Sequence, residues 1–198
     1  MAVIEEAPGQ GGLVLEPGVV RLVLADTRVA PLWLLIRLYV GYAWLRAGWE
    51  KLGEPTWIGA QAGSALGDLI RTALLTTARD QAATPGWYAN VLRDVVLPHA
   101  AAFSYAITFG EILAGLGVLL GLVTGVAAFW GSVINASFLL AGTASTDPVL
   151  FILAVGLMLA WRVAGYYGLD RWLLPLVGVP GVSSVLLRRR PVPAETGD

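Results

Sequence analysis

The chain has 198 residues, 57% of them apolar and only 14% charged, with a formal net charge of −1 and a mean hydropathy of +0.70. Soluble domains carry roughly 25% charged residues, so this composition excludes an ordinary water-facing surface and points to a bilayer as solvent. The charge balance offers no basic field for nucleic acid, and the lack of any cysteine removes thiol exchange, thiolate metal sites and iron–sulfur clusters.

The first residues, MAVIEEAPGQGG, are acidic and Gly-rich where a cleavable signal would be basic, so residues 1–30 are expected to form a cytoplasmic tail. Residues 31–176 read as an all-α integral membrane four-helix bundle, with spans expected at about 31–52, 99–122, 124–142 and 148–167. Pro31 stands where a helix tolerates proline, in its first turn. The few residues around Gly121 to Gly125 make the second and third spans a tight hairpin. Residues 177–198 form a basic tail, and Arg188, Arg189 and Arg190, with Arg21, Arg28 and Arg171, place both termini in the cytoplasm of a multi-pass inner (plasma) membrane protein.

The extracytoplasmic connection over 53–98 is long for a passive loop. Within it Ala62, Leu66, Leu69, Ile70, Ala73 and Leu74 recur at helical spacing opposite Ser64, Asp68, Arg71 and Thr72, which predicts an amphipathic helix lying in the membrane interface. Trp57, Trp87 and Tyr88 are expected at headgroup depth, as ordinary belt aromatics.

Ionisable residues inside spans are costly unless they face a partner or water. At ~100° per residue, Arg37, Gly41, Trp44, Gly48 and Lys51 fall on one face of the first span, and Ser104, Thr108, Glu111 and Gly115 on one face of the second. Thr124, Ala128, Gly131 and Asn135 form a stripe on the third. Glu111 lies near the bilayer midplane and is expected to pair with Arg37, with Asn135 close by; the competing reading makes all three buried glue. Arg46 and Glu50, at i, i+4 on the opposite face, suit a local ion pair or a partner-subunit interface. His99 is a lone interfacial histidine and cannot give bis-histidine haem ligation.

Three segments, RLYVGYAWLRAGWEKL (Arg37, Gly48, Lys51), GEILAGLGVLLGLVTGVAA (Glu111, Gly115, Gly121) and AGYYGLDRWLLP (Gly168, Asp170, Pro175), resemble the DoxX/DoxD-like membrane proteins, specifically the small subunit of thiosulfate:quinone oxidoreductase. The resemblance covers roughly residues 31–176. It implies a membrane subunit, working with a partner chain, that passes electrons from an oxidised sulfur compound to a quinone that is not covalently held. Arg37, Trp44, Lys51, Glu111 and Asn135 are then the candidate head-group or substrate site, Glu111 the candidate proton carrier, and Lys51 and Arg46 cations that attract thiosulfate. No haem, iron–sulfur cluster or metal is expected, so this chain would borrow its redox group. The rival readings are a non-catalytic scaffold that holds a larger membrane complex through the outer loop and the Arg46/Glu50 face, and, last, a small-molecule carrier. The carrier has neither broken-helix pairs nor an inverted repeat to support it.

Overall fold

In a computed structural model, residues 18–80, 84–142 and 148–176 are described, and every regular element among them is helical. The basic tail with Arg188, Arg189 and Arg190 lies outside the described residues. Helix α1 (Gly18–Ala25) leads into a single 3-10 turn, Thr27–Val29, in which Asp26 Oδ1 accepts from the Arg28 amide at 2.9 Å. Helix α2 (Ala30–Leu52) follows with proline in its first turn, where no amide hydrogen is needed. The indole of Trp33 donates to the Val23 carbonyl at 2.8 Å and ties α1 back onto α2.

Helix α3 (Ser64–Asp80) is the amphipathic helix expected from the outer connection, starting two residues later than its apolar pattern. Its apolar face does not lie open on the membrane surface. Leu66, Ile70 and Ala73 are buried in a cluster with Trp57, Leu92 and Ala141, against which Phe103, Ile107 and Phe138 also pack. Burial against these large side chains removes apolar area from water as lipid would, and keeps the helix on the protein.

The next helix begins well before His99. Helix α4 (Gly86–Val91) continues through a π turn, Leu92–Val96, and a 3-10 turn, Leu97–His99, into α5 (Ala100–Leu120). Pro98 lacks an amide hydrogen, and the irregular turns absorb that loss without ending the run. The whole stretch, Gly86–Leu120, is long and apolar enough to cross a membrane. Helices α6 (Thr124–Leu140) and α7 (Pro148–Leu159) are shorter and apolar, and α7 gives way at Ala160 to α8 (Trp161–Ala164) and then α9 (Asp170–Leu176). The expected fourth span, 148–167, is therefore broken after Leu159.

Helices α2, α5, α6 and α7 close a ring in which each touches two neighbours. Glycine sets the register of the antiparallel α2–α5 pair. A Cβ on Gly41 would meet Leu119 and the Gly115 carbonyl, and one on Gly48 would meet Ile112 and the Thr108 carbonyl. These contacts bring the backbones together and fix Arg37 level with Gly121, and Glu111 level with Gly48.

The polarity of the molecule is inverted relative to a soluble bundle. Arg37, Ser104, Thr108, Glu111, Thr124, Ser132, Asn135 and Asp170 are buried, whereas Leu35, Leu113, Val126, Trp130 and Ile152 are more than half exposed. Large apolar side chains turned outward around a polar interior are stable only where the outside is hydrocarbon.

Candidate functional site

The only buried ion pair among the described residues joins Lys51 and Glu111, with Nζ 2.7 Å from Oε2. Lys51 is in the last turn of α2, so its ammonium reaches back toward the C-terminal carbonyls and lies 3.5 Å from the Ala47 oxygen. The rings of Trp57 and Phe138 flank it, with centroids 5.1 and 5.8 Å from Nζ. A cation between two ring faces retains part of the electrostatic stabilisation it loses with water.

Arg37 does not pair with Glu111. Its Nη1 donates to the Ala164 carbonyl at 2.9 Å and its Nη2 to the Tyr167 carbonyl at 3.4 Å, while Asp170 opposes its charge. The correction follows from register: Arg37 precedes Lys51 by fourteen residues, about 21 Å along α2, and only the Lys51 end is level with Glu111. The guanidinium rests on Gly121 and Gly168, where any side chain would collide with it.

Asp170, quoted above only within a motif, holds this second cluster together. Its Oδ1 accepts from the Val123 amide at 2.5 Å and its Oδ2 from the Thr124 amide at 2.9 Å. It thereby caps α6 from a distant part of the chain and stabilises a turn with Gly121 at φ 66° and Val123 at φ 48°. A left-handed Val is strained, and the two hydrogen bonds offset that cost.

Asn135 is buried on α6, in the stripe with Thr124, Ala128 and Gly131. On α6 it stands one turn from Phe138, whose ring faces Lys51, and one turn from Gly131, whose Cα takes the Trp44 ring. That places Asn135, on the inward stripe of α6, at a level between Trp44 and Lys51. Asn135 is 4% exposed and its Nδ2 donates to no protein acceptor, nor has the Thr124 hydroxyl or Arg37 Nε a partner. A buried donor left open in this way suits an acceptor brought by a ligand or water.

Trp44 is buried in the apolar core, its ring packed on Gly131. Trp57 and Tyr88 are not surface anchors: Trp57 covers Lys51 and its carbonyl accepts from Ser104 Oγ at 2.6 Å, and Tyr88 Oη donates to the Ser137 carbonyl at 3.0 Å. Trp87 is exposed. His99 Nδ1 lies 3.0 Å from the Val95 carbonyl at the protein surface. Arg46 and Glu50 form their local pair at 2.7 Å on the outer face of α2, apart from the buried cluster.

An apolar groove of about 710 Å³ runs between the α4–α5 run and α6, bordered by Leu66 and Ile70 of α3. Lys51, Glu111 and Asn135 do not line it; Phe138 is the wall common to the groove and the Lys51 site.

A chain helical throughout its described elements, with an apolar exterior, a buried ion pair and a hydrocarbon-lined groove, is a membrane protein whose polar groups are turned inward. It belongs to the DoxX family, whose model matches residues 32–145. No curated protein and no solved structure matches the chain.

Proposed function

We propose that this chain is the membrane subunit of a quinone-linked oxidoreductase, in keeping with its resemblance to the small subunit of thiosulfate:quinone oxidoreductase. The observation that carries the reading is the buried Lys51–Glu111 pair, whose flanking Phe138 ring is also a wall of an apolar groove, with the Asn135 Nδ2 on the inward stripe of α6 left without a protein partner. An amphiphilic ligand needs that combination: hydrogen-bonding groups for a polar head and a hydrocarbon slot for its tail. Quinone, when bound, supplies two-electron, two-proton redox chemistry. Lys51 and Asn135 then donate hydrogen bonds to a carbonyl oxygen, and Glu111 holds or gives up a proton at Oε2 with Lys51 compensating its charge. Electrons come from a partner chain that oxidises a sulfur compound.

In this reading α2, the Gly86–Leu120 run, α6 and the broken α7–α8 stretch cross the inner membrane, with both termini cytoplasmic and α3 outside. The experiment is purification in mild detergent, mass spectrometry of copurified chains and extracted quinone, and reconstitution with the partner. Glu111→Gln is expected to lower quinone reduction about 10-fold or more while the complex stays assembled, the order of general acid–base effects. Normal turnover in the assembled Glu111→Gln variant would refute the proton role.

One observation favours the scaffold reading as the alternative. Arg46 and Glu50 are 65% and 58% exposed on a face of α2 that also exposes Tyr39, Tyr42 and Trp49, a mixed charged and aromatic surface suited to a protein partner. A stable complex that contains no quinone would make it the first choice.

A further inference from the structure

The two buried polar clusters are separated by an apolar layer. On the Lys51 side stand Lys51, Glu111 and Asn135; on the other stand Arg37, Thr124 and Asp170. Between them Val40, Val118 and Ala128 are each 0% exposed, and Trp44 fills the remaining width by packing its ring on Gly131. No polar side chain bridges this layer among the described residues: Ser132 Oγ, the nearest candidate on α6, is turned to its own helix, donating to the Ala128 carbonyl at 2.7 Å.

The Lys51 side is not sealed in the same way. The Lys51 side chain keeps 17% of its surface accessible and Glu111 keeps 8%, and Trp57 of the segment 53–63 lies over the Lys51 ammonium. That segment is pinned as a cover by the Ser104–Trp57 and Gly59–Tyr105 hydrogen bonds and by Gly63, at φ 87°, against the backbone of Ala100 and Ala101. Among the described residues Lys51 of α2 is the charged partner of Glu111; α6 and α7 contain no charged residue, and α3 keeps Asp68 and Arg71 paired at the surface.

We infer that the Lys51–Glu111 site exchanges protons and small polar solutes with one side of the membrane only, the side of segment 53–63, and that Trp44 with the Val40, Val118 and Ala128 layer closes it to the other. Nothing in this depends on what the site binds. Any proton that Glu111 takes up or releases during a reaction passes to or from the water on the α3 side.

The lack of cysteine allows a direct test by single-cysteine labelling of the full-length protein in sealed, oriented vesicles. Ser64→Cys marks the α3 side and Arg28→Cys the opposite side. Lys51→Cys, made with Glu111→Gln so that no carboxylate is left unpaired, is probed with a small impermeant cationic thiol reagent. It is expected to react from the Ser64 side at least about 50-fold faster than from the Arg28 side, given the penalty a membrane interior places on a charge. Asn135→Cys, a neutral change on another helix, should show the same sidedness. Comparable rates from both sides, reaction from the Arg28 side alone, reaction from neither side, or both markers on one side would each overturn the inference. The vesicles are depleted of quinone before labelling, so the outcome does not depend on whether the redox reading holds.

Discussion

Lys51 and Glu111, sixty residues apart in sequence, meet at 2.7 Å inside the helix ring, and the lysine is held there between the rings of Trp57 and Phe138. The pair is asymmetric: the carboxylate is the more deeply enclosed partner, the ammonium the one with residual access to the surface. The consequences of losing either side chain therefore differ.

Lys51→Ala should be the most damaging single change at the site, lowering stability by about 3–5 kcal/mol because it strands a carboxylate in a low-dielectric interior. Glu111→Gln should cost less, since Lys51 keeps its aromatic flanks and a route to water. The double variant Lys51→Ala/Glu111→Gln should recover part of the loss, because no carboxylate is left unpaired. Thermal unfolding in detergent across this cycle gives the coupling directly; additive effects would show that the two side chains do not stabilise one another.

Asp170 is predicted to act as a fold-closing cap. Asp170→Ala removes the acceptors of the Val123 and Thr124 amides together and should destabilise by about 2–4 kcal/mol, whereas Asp170→Asn keeps one acceptor and should cost roughly half as much. Limited proteolysis at the Gly121–Val123 turn, run beside thermal unfolding, should show the turn opening in the alanine variant first.

The Trp44–Gly131 contact predicts a size rescue. Gly131→Ala places a methyl group into the indole and should cost about 1–3 kcal/mol by overpacking. Adding Trp44→Leu should relieve much of that strain, although Trp44→Leu alone leaves a cavity and is itself destabilising. If the two changes prove simply additive in thermal unfolding, the ring and the glycine are not in contact.

At the exposed Arg46–Glu50 pair, Arg46→Ala should leave the unfolding temperature of the isolated chain unchanged, because solvent-exposed pairs contribute little. Its effect is expected on the yield of the copurified complex, read by size-exclusion chromatography. Unchanged assembly would remove this face as a partner surface.

Hydropathy and a 3.6-residue period alone located α2 almost to the residue, joined the second and third long helices by a tight turn, and selected the inward stripes: Arg37, Gly41, Trp44 and Gly48 on α2, Ser104, Thr108, Glu111 and Gly115 on α5, and Thr124, Ala128, Gly131 and Asn135 on α6 are buried. These features are local, because a helix that must hide polar groups from hydrocarbon writes its inner face into its own sequence. Which charge meets which is not local. It depends on the axial register between α2 and α5, set by glycine contacts some seventy residues apart, and that register gives Glu111 to Lys51 and leaves Arg37 to the carbonyls of Ala164 and Tyr167. The same reason applies to Trp57 and Tyr88, whose chemistry fits a membrane surface equally well, and to the apolar face of α3. Only the tertiary structure brings up the protein neighbours that bury them.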